Sequence, residues 1–127
     1  MAKERMQAGN PFPGFDPPTE NWSKLPHALI ESLPAIETVS ELKVILYILR
    51  HTWGFQEDQR RISVDEFANG RRKKNSGRVD GGTGLSVNAV RDGLKRAMSH
   101  GFIEVEIDNH DLGRVQKLYR LRMKEAK

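Results

Sequence analysis

The sequence predicts a mainly α domain closed by a small β-hairpin, on three observations. Four segments repeat apolar residues at helical spacing, each bounded by capping or breaking residues. After them, FIEVEI alternates apolar and polar residues as a half-buried strand does. The turn-rich run DNHDLGR then separates it from a second strand, VQKLYRLRM. The order is helix, helix, short strand, helix, loop, helix, strand, turn, strand. A winged helix-turn-helix has this arrangement, with the hairpin as its wing. A compact helical bundle with an incidental hairpin is the other architecture that the order allows.

A chain of 127 residues, 37% hydrophobic, suits one globular domain with a modest core and a tail. The absence of cysteine excludes a disulfide framework and cysteine-ligated zinc, and fits a reducing cytoplasm. No apolar run approaches membrane-spanning length, and MAKERMQAGN lacks the apolar region of a signal peptide. The expectation is a cytoplasmic protein.

Residues 1–21 hold four of the six prolines and no apolar periodicity, which predicts a flexible Pro-rich arm before a domain at 22–124. In LPHALIESLPAI, Pro26 suits the first turn of a helix and Pro34 its end, and Leu25, Leu29, Ile30 and Leu33 form one apolar stripe. In TVSELKVILYILRHTWGF, Thr38 and Glu41 form a capping box and Gly54 is the expected stop. Its apolar stripe of Leu42, Ile45, Leu46, Leu49 and Trp53 is widened by Val44, Tyr47 and Ile48. Such breadth makes the helix either central to the fold or shared with a second subunit, so a homodimer through helix 39–53 is a candidate. Ile62 marks a short strand. Ser63 and Glu66 repeat the capping-box pattern before Val64, Phe67 and Ala68, and Gly70 ends that helix.

Between this helix and the next lies NGRRKKNSGRVDGGTGLS. Residues 70–84 carry five basic side chains (Arg71, Arg72, Lys73, Lys74 and Arg78) against Asp80, which equals the whole net charge of +4. A concentrated basic patch on a neutral body is the electrostatic footprint of a nucleic-acid or other polyanion binder. A solvated loop that keeps the protein soluble is the alternative. The loop's glycines are expected to leave it mobile alone and ordered on a partner.

GLSVNAVRDGLKRAMSHG is the last helix, with Ser86 as N-cap and Gly101 as C-terminal stop. At 100° per residue, Val87, Val90, Leu94, Ala97 and Met98 fall on one side. The other side carries Asn88, Asp92, Lys95 and Ser99, flanked by Arg91 and Arg96. A recognition helix in the major groove of double-stranded DNA needs that division. Asparagine can bond adenine bidentately and arginine guanine, and residues near the helix start enter deepest. Asn88 and Arg91 are therefore candidates for base edges, with Ser86 at the same end. Lys95 and Arg96 suit phosphates. Asp92 could accept from cytosine, orient an arginine or reject wrong registers. On the wing, Arg114, with His110 and Lys117 nearby, is the candidate for minor groove or backbone. An ordinary solvated helix face is the alternative to all of these.

The segments WSKLPHALIESL, ELKVILYILRHTWGF, RISVDEFANG and TGLSVNAVRDGLKRAMSHGFI fall within Trp22 to Met123. Together they resemble the N-terminal DNA-binding domain of the phage replication protein O family. The aromatic after the second helix, the ISVDEF start and the GLS-x-x-x-V opening of the last helix carry the resemblance. It implies DNA replication initiation: binding to repeated origin sites, with a separate C-terminal region recruiting replication proteins that load the helicase. The chain ends soon after the wing, with no room expected for that region. A fragment, a prophage remnant and a transcriptional regulator reusing the domain are the resulting alternatives. A winged-helix protein-interaction module is a further one.

Catalytic chemistry has no footing in the sequence. Gly70 to Ser76 lacks the phosphate-loop spacing. GGTG at Gly81 to Gly84 reads as a hinge, with a small anion nest as the alternative. The four histidines show no metal-ligand spacing, and His100 reads as stabilised by a helix C-terminus or facing solvent. Glu104 and Glu106 read as an outward strand face. The expectation is a protein that is not an enzyme and uses no cofactor or metal.

Overall fold

The computed structural model describes residues 12–73, 77–78, 80–111 and 114–124, with the side chains of 72–79 and 109–114 set aside. Its helices are α1 (His27–Glu31), α2 (Val39–Thr52), α3 (Val64–Asn69) and α4 (Val87–Ser99). Short 3₁₀ turns follow α1 (Leu33–Ala35) and α2 (Trp53–Phe55). Strands β1 (Arg60–Arg61), β4 (Ile103–Asp111) and β5 (Arg114–Leu121) form an antiparallel sheet in the order β1-β5-β4. A separate two-stranded ladder, β2 (Arg72–Lys73) with β3 (Gly77–Arg78), lies between α3 and α4. Four helices and a small three-stranded sheet make a mixed α/β domain, compatible with a winged helix.

Helix α2 is the centre. Thr38 Oγ1 accepts the Glu41 N–H at 3.1 Å, so a helix start is satisfied by its own sequence. The return arm of the expected capping box is displaced by one residue. Glu41 Oε1 accepts from the N–H of Glu37 rather than of Thr38. Val44, Ile45, Ile48 and Leu49 are all buried within the chain. Most of the helix's apolar breadth is thus met internally, with Val39 and Leu46 exposed. These residues pack on Val90, Leu94 and Ala97 of α4, on Phe67, and on Ile103, Tyr119 and Leu121 from the sheet.

Where α2 crosses α4, the backbones touch. A Cβ on Gly93 would lie 2.6 Å from the Ser40 carbonyl oxygen, far inside van der Waals contact. Gly93 costs helix propensity, but here it permits the close approach that the core needs.

Several expected features differ in detail. Helix α1 is one short turn, and of its predicted stripe only Leu29 is buried, leaving Leu25, Ile30 and Leu33 exposed. Pro34 sits inside the following 3₁₀ turn, which a missing N–H does not disrupt. Gly54 does not supply the left-handed stop after α2. Gln56 does, at φ 58°, while Gly54 lets the chain at Ser23 pass, since a Cβ there would meet Ser23 Oγ at 2.7 Å. Strand β1 falls on Arg60–Arg61, just before the buried Ile62, because pairing with Tyr119 and Leu118 of β5 overrides weak local propensity. The expected turn DNHDLGR is mostly strand. Pairing continues to Asp111 opposite Arg114, with a bulge absorbing a register shift after Asp108. The sheet's inner face pairs Ile103 with Leu121 and Val105 with Tyr119.

Gly93→Ala should destabilise the domain by about 1–3 kcal/mol, because α2 and α4 must separate to admit the methyl group. Urea unfolding monitored by tryptophan fluorescence measures this. An unchanged midpoint would show that the crossing is looser than described.

Candidate nucleic-acid interface

Helix α4 is shaped by its two faces. Ser86 Oγ accepts the Ala89 N–H at 3.1 Å, which caps the start. Gly101, at φ 80°, ends the helix one residue beyond His100, and its N–H donates to the Met98 carbonyl. Val90, Gly93, Leu94 and Ala97 are buried, whereas Val87 and Met98, expected on the same face, are more than two-fifths exposed. The packed stripe is narrower than the wheel suggests, and the outward face is correspondingly wider.

On that outward face Asn88, Arg91 and Lys95 are exposed, and none makes a hydrogen bond or ion pair with another described residue. Ser86 is exposed at the same end. Arg96 differs from its expected role as a free phosphate contact. Its Nε donates to Asp92 Oδ2 at 2.9 Å, and its Nη1 lies 3.5 Å from Glu37 Oε2. Asp92 thus orients an arginine, one of the three roles open to it, and Arg96 is tied to the segment before α2.

His100 extends this tie. Its Nδ1 lies 2.6 Å from Glu41 Oε2, and its Nε2 lies 2.9 Å from Glu37 Oε1. Two carboxylates on the two ring nitrogens call for two N–H donors, which only the imidazolium offers. The Glu41 hydrogen bond holds the His100 pKa above the ordinary histidine value, with smaller help from Glu37 against partial desolvation. Glu41 is fully buried, and a carboxylate there needs such partners. His100 caps the C-terminal end of α4, as one of its two expected readings had it, and in addition forms a bracket to the start of α2.

Part of the basic segment is paired backbone to backbone. Arg72 and Lys73 pair with Arg78 and Gly77 in the β2–β3 ladder. At its neck the chain crosses itself. A Cβ on Gly70 would fall 2.0 Å from the Asp80 carbonyl oxygen, and one on Gly82 would fall 2.5 Å from the Gly70 nitrogen. Gly70 and Gly82 permit this close approach, while Gly81 and Gly84, in the same expected hinge as Gly82, have open space around them. Past the neck, Thr83 donates through its N–H and its hydroxyl to the Phe67 carbonyl, and Lys43 Nζ donates to the Thr83 carbonyl at 3.0 Å.

Asp80, the single acid of the segment, anchors it on α2. Its Oδ1 accepts from the Tyr47 hydroxyl at 3.0 Å and from the Gly82 N–H at 2.8 Å. Its Oδ2 lies 3.2 Å from His51 Nε2, an electrostatic contact without hydrogen-bond geometry. Burial raises the Tyr47 pKa, reinforced by the bond to Asp80, so the hydroxyl stays a donor. Burial lowers the His51 pKa against the pull of Asp80, which keeps that ring neutral. Tyr47, His51 and Lys43 were not singled out from the sequence as site residues. A lone acid inside a basic run was the available signal.

The remaining expected contacts divide by description. Arg71 is partly buried and lies 3.4 Å from Glu66 Oε2 of α3. Arg72, Lys73, Arg78 and Arg114 are placed by their backbone in strands, and their side chains are among those set aside. Lys74 lies outside the described residues, as does the His110 side chain. Lys117 is exposed on β5. Glu104 accepts from Arg120 Nη2 at 2.6 Å across the outer sheet face, as a surface pair does. Among the described residues, no cluster of three or more His, Asp or Glu side chains could hold a metal ion. No helix among them is long and apolar enough to cross a membrane.

The raised His100 pKa sets a sign for pH dependence. Its contribution to stability is complete below the unfolded value near 6.5 and is lost as pH rises through the higher folded value. Thermal melts of His100→Gln should lose the part of the wild-type decline in Tm that begins above pH 6.5. Identical slopes for the two proteins would sink the bracket. Compared with known proteins, the chain matches no family model, no curated protein and no solved structure.

Proposed function

We propose that this chain is a winged helix-turn-helix domain that binds double-stranded DNA, with α4 in the major groove. One observation carries the reading. Asn88, Arg91 and Lys95 stand exposed, without a partner among the described residues, on a helix whose opposite face is buried in the core. Side chains that must reach base edges need a rigid support and free donors, and this face has both. The sheet order β1-β5-β4, with β4–β5 following α4 directly, is compatible with a wing beside such a helix and supports the reading.

Within this reading Asn88 and Arg91 contact base edges, and Lys95 contacts phosphate. Arg72, Lys73, Lys74 and Arg78 neutralise the backbone near the start of α4, and Arg114 serves the wing. Arg71, paired with Glu66, contributes less, and Arg96 positions α4 rather than meeting DNA. The reading assigns no catalytic step. Resemblance to the phage replication protein O family favours a replication-initiator role. A transcriptional regulator would use the same surface and differ in which sites it occupies.

Asn88→Ala and Arg91→Ala should each relax preference at one or two base pairs, costing about 1–3 kcal/mol against the best site. Neutralising Arg72, Lys73 and Lys74 should weaken all sequences alike and reduce the salt slope by about 0.9 for each phosphate that is no longer neutralised. Competition titrations on sites recovered from genomic fragments measure both. If the helix and loop variants lowered affinity identically for every sequence, the base-reading role would be withdrawn. Repeated clustered sites would mark an initiator, and scattered promoter sites a regulator.

A further inference from the structure

At the far end of α4 from Asn88 lies an apolar groove of about 250 Å³. It opens at Gly101 and Phe102, thirteen residues along from Asn88, or about 20 Å at helical rise. Its floor is formed by Leu29, Trp53, Phe102 and Leu121, and its rim carries Arg122 and Lys124. Met123, which also lines it, is 62% exposed. An open apolar groove on a small domain offers a docking site.

The same chain carries a segment with the matching chemistry. Phe12 and Phe15 touch each other at 4.8 Å between ring centroids and are 64% and 93% exposed. Asp16 and Glu20 are the charged residues of 12–21, so this stretch is aromatic and acidic where the groove is apolar with a basic rim. The segment's root is shaped by a turn from Pro17 to Glu20 and by a bond from Asn21 Nδ2 to Asp16 Oδ2. Within one chain the two rings stand in solvent, although eleven residues separate Phe15 from the groove-lining Pro26. Prolines 13, 17 and 18 restrict the segment, which lowers the ordering cost when it binds elsewhere.

We propose that the Phe12–Asp16 segment of one copy seats in the groove of a second copy, and reciprocally. The phenyl rings occupy the apolar floor and Asp16 faces Arg122 and Lys124. Reciprocal exchange closes a two-fold dimer, in which each arm-to-groove contact occurs twice. Because the groove is about four helical turns from Asn88, the dimer leaves the outward face at the start of α4 open on both copies.

Sedimentation equilibrium of the full chain without DNA tests this, so the outcome is independent of the DNA-binding reading. The wild type should show a monomer–dimer equilibrium. The double variant Phe12→Ala/Phe15→Ala should weaken it at least tenfold, and so should Met123→Glu at the groove, each with unchanged circular dichroism. Mixing the two variants should restore half of the exchange as a heterodimer, since one supplies the arm and the other the groove. A wild type that stays monomeric at millimolar concentration overturns the proposal, including the case in which the arm folds onto its own groove. A dimer that survives both variants overturns it as well.

Discussion

The backbone contact between α2 and α4 is the constraint on which the rest of the domain depends. Gly93 against the Ser40 carbonyl brings the two helices close enough for Val44 and Ile48 to interlock with Val90, Leu94 and Ala97. Residues on one side of α4 are thereby committed to the core. The residues a turn away have nowhere to go but solvent, so the outward face is a consequence of the crossing. The sheet follows from the same centre. Tyr119 and Leu121 pack under α2, and β5 can then accept β1 on one edge and β4 on the other.

Around this apolar centre, polar groups settle orientation. Glu41 is fully buried at the start of α2 and would be costly there without partners. His100 and the Glu37 N–H supply them, and Arg96 adds a second tie to Glu37. These contacts hold the C-terminal end of α4. Lys43, Thr83 and the Phe67 carbonyl hold the segment leading into its N-terminal end. A helix pinned at both ends and along one face presents its remaining side chains from a fixed platform.

Asp80 gives the basic segment a defined root. It links the run to α2 through Tyr47 and lies beside a neutral His51, while Gly70 and Gly82 let the two sides of the neck cross. Charge is thus divided between two uses. Arg71 and Arg96 are drawn into ion pairs, whereas Arg91 and Lys95 have no partner among the described residues. Formal charge alone does not make that distinction. It depends on which carboxylates the fold brings within reach.

Local signals made much of the architecture legible. The caps at Thr38, Ser63 and Ser86 act over three residues, so they mark helix starts wherever the helices pack. The alternation in FIEVEI places Ile103 and Val105 on the inner face, because side-chain period is a property of the strand itself. What sequence could not settle is partnership. Leu25, Ile30 and Leu33 read as core, yet each is at least two-fifths exposed. His100 read as stabilised by a helix C-terminus or facing solvent, and the two carboxylates that meet it come from another helix's start. DNHDLGR read as a turn, yet ladder pairing carries the strand through most of it. The sequence by itself determined the order and type of the main elements, the charge concentrated at 70–84, and a two-faced last helix. Tertiary structure alone decided which apolar residues are covered, which cations stay unpaired, and what Gly70, Gly82 and Gly93 are for. Caps and periodicity work within a few residues, whereas burial and pairing are set by atoms dozens of residues away.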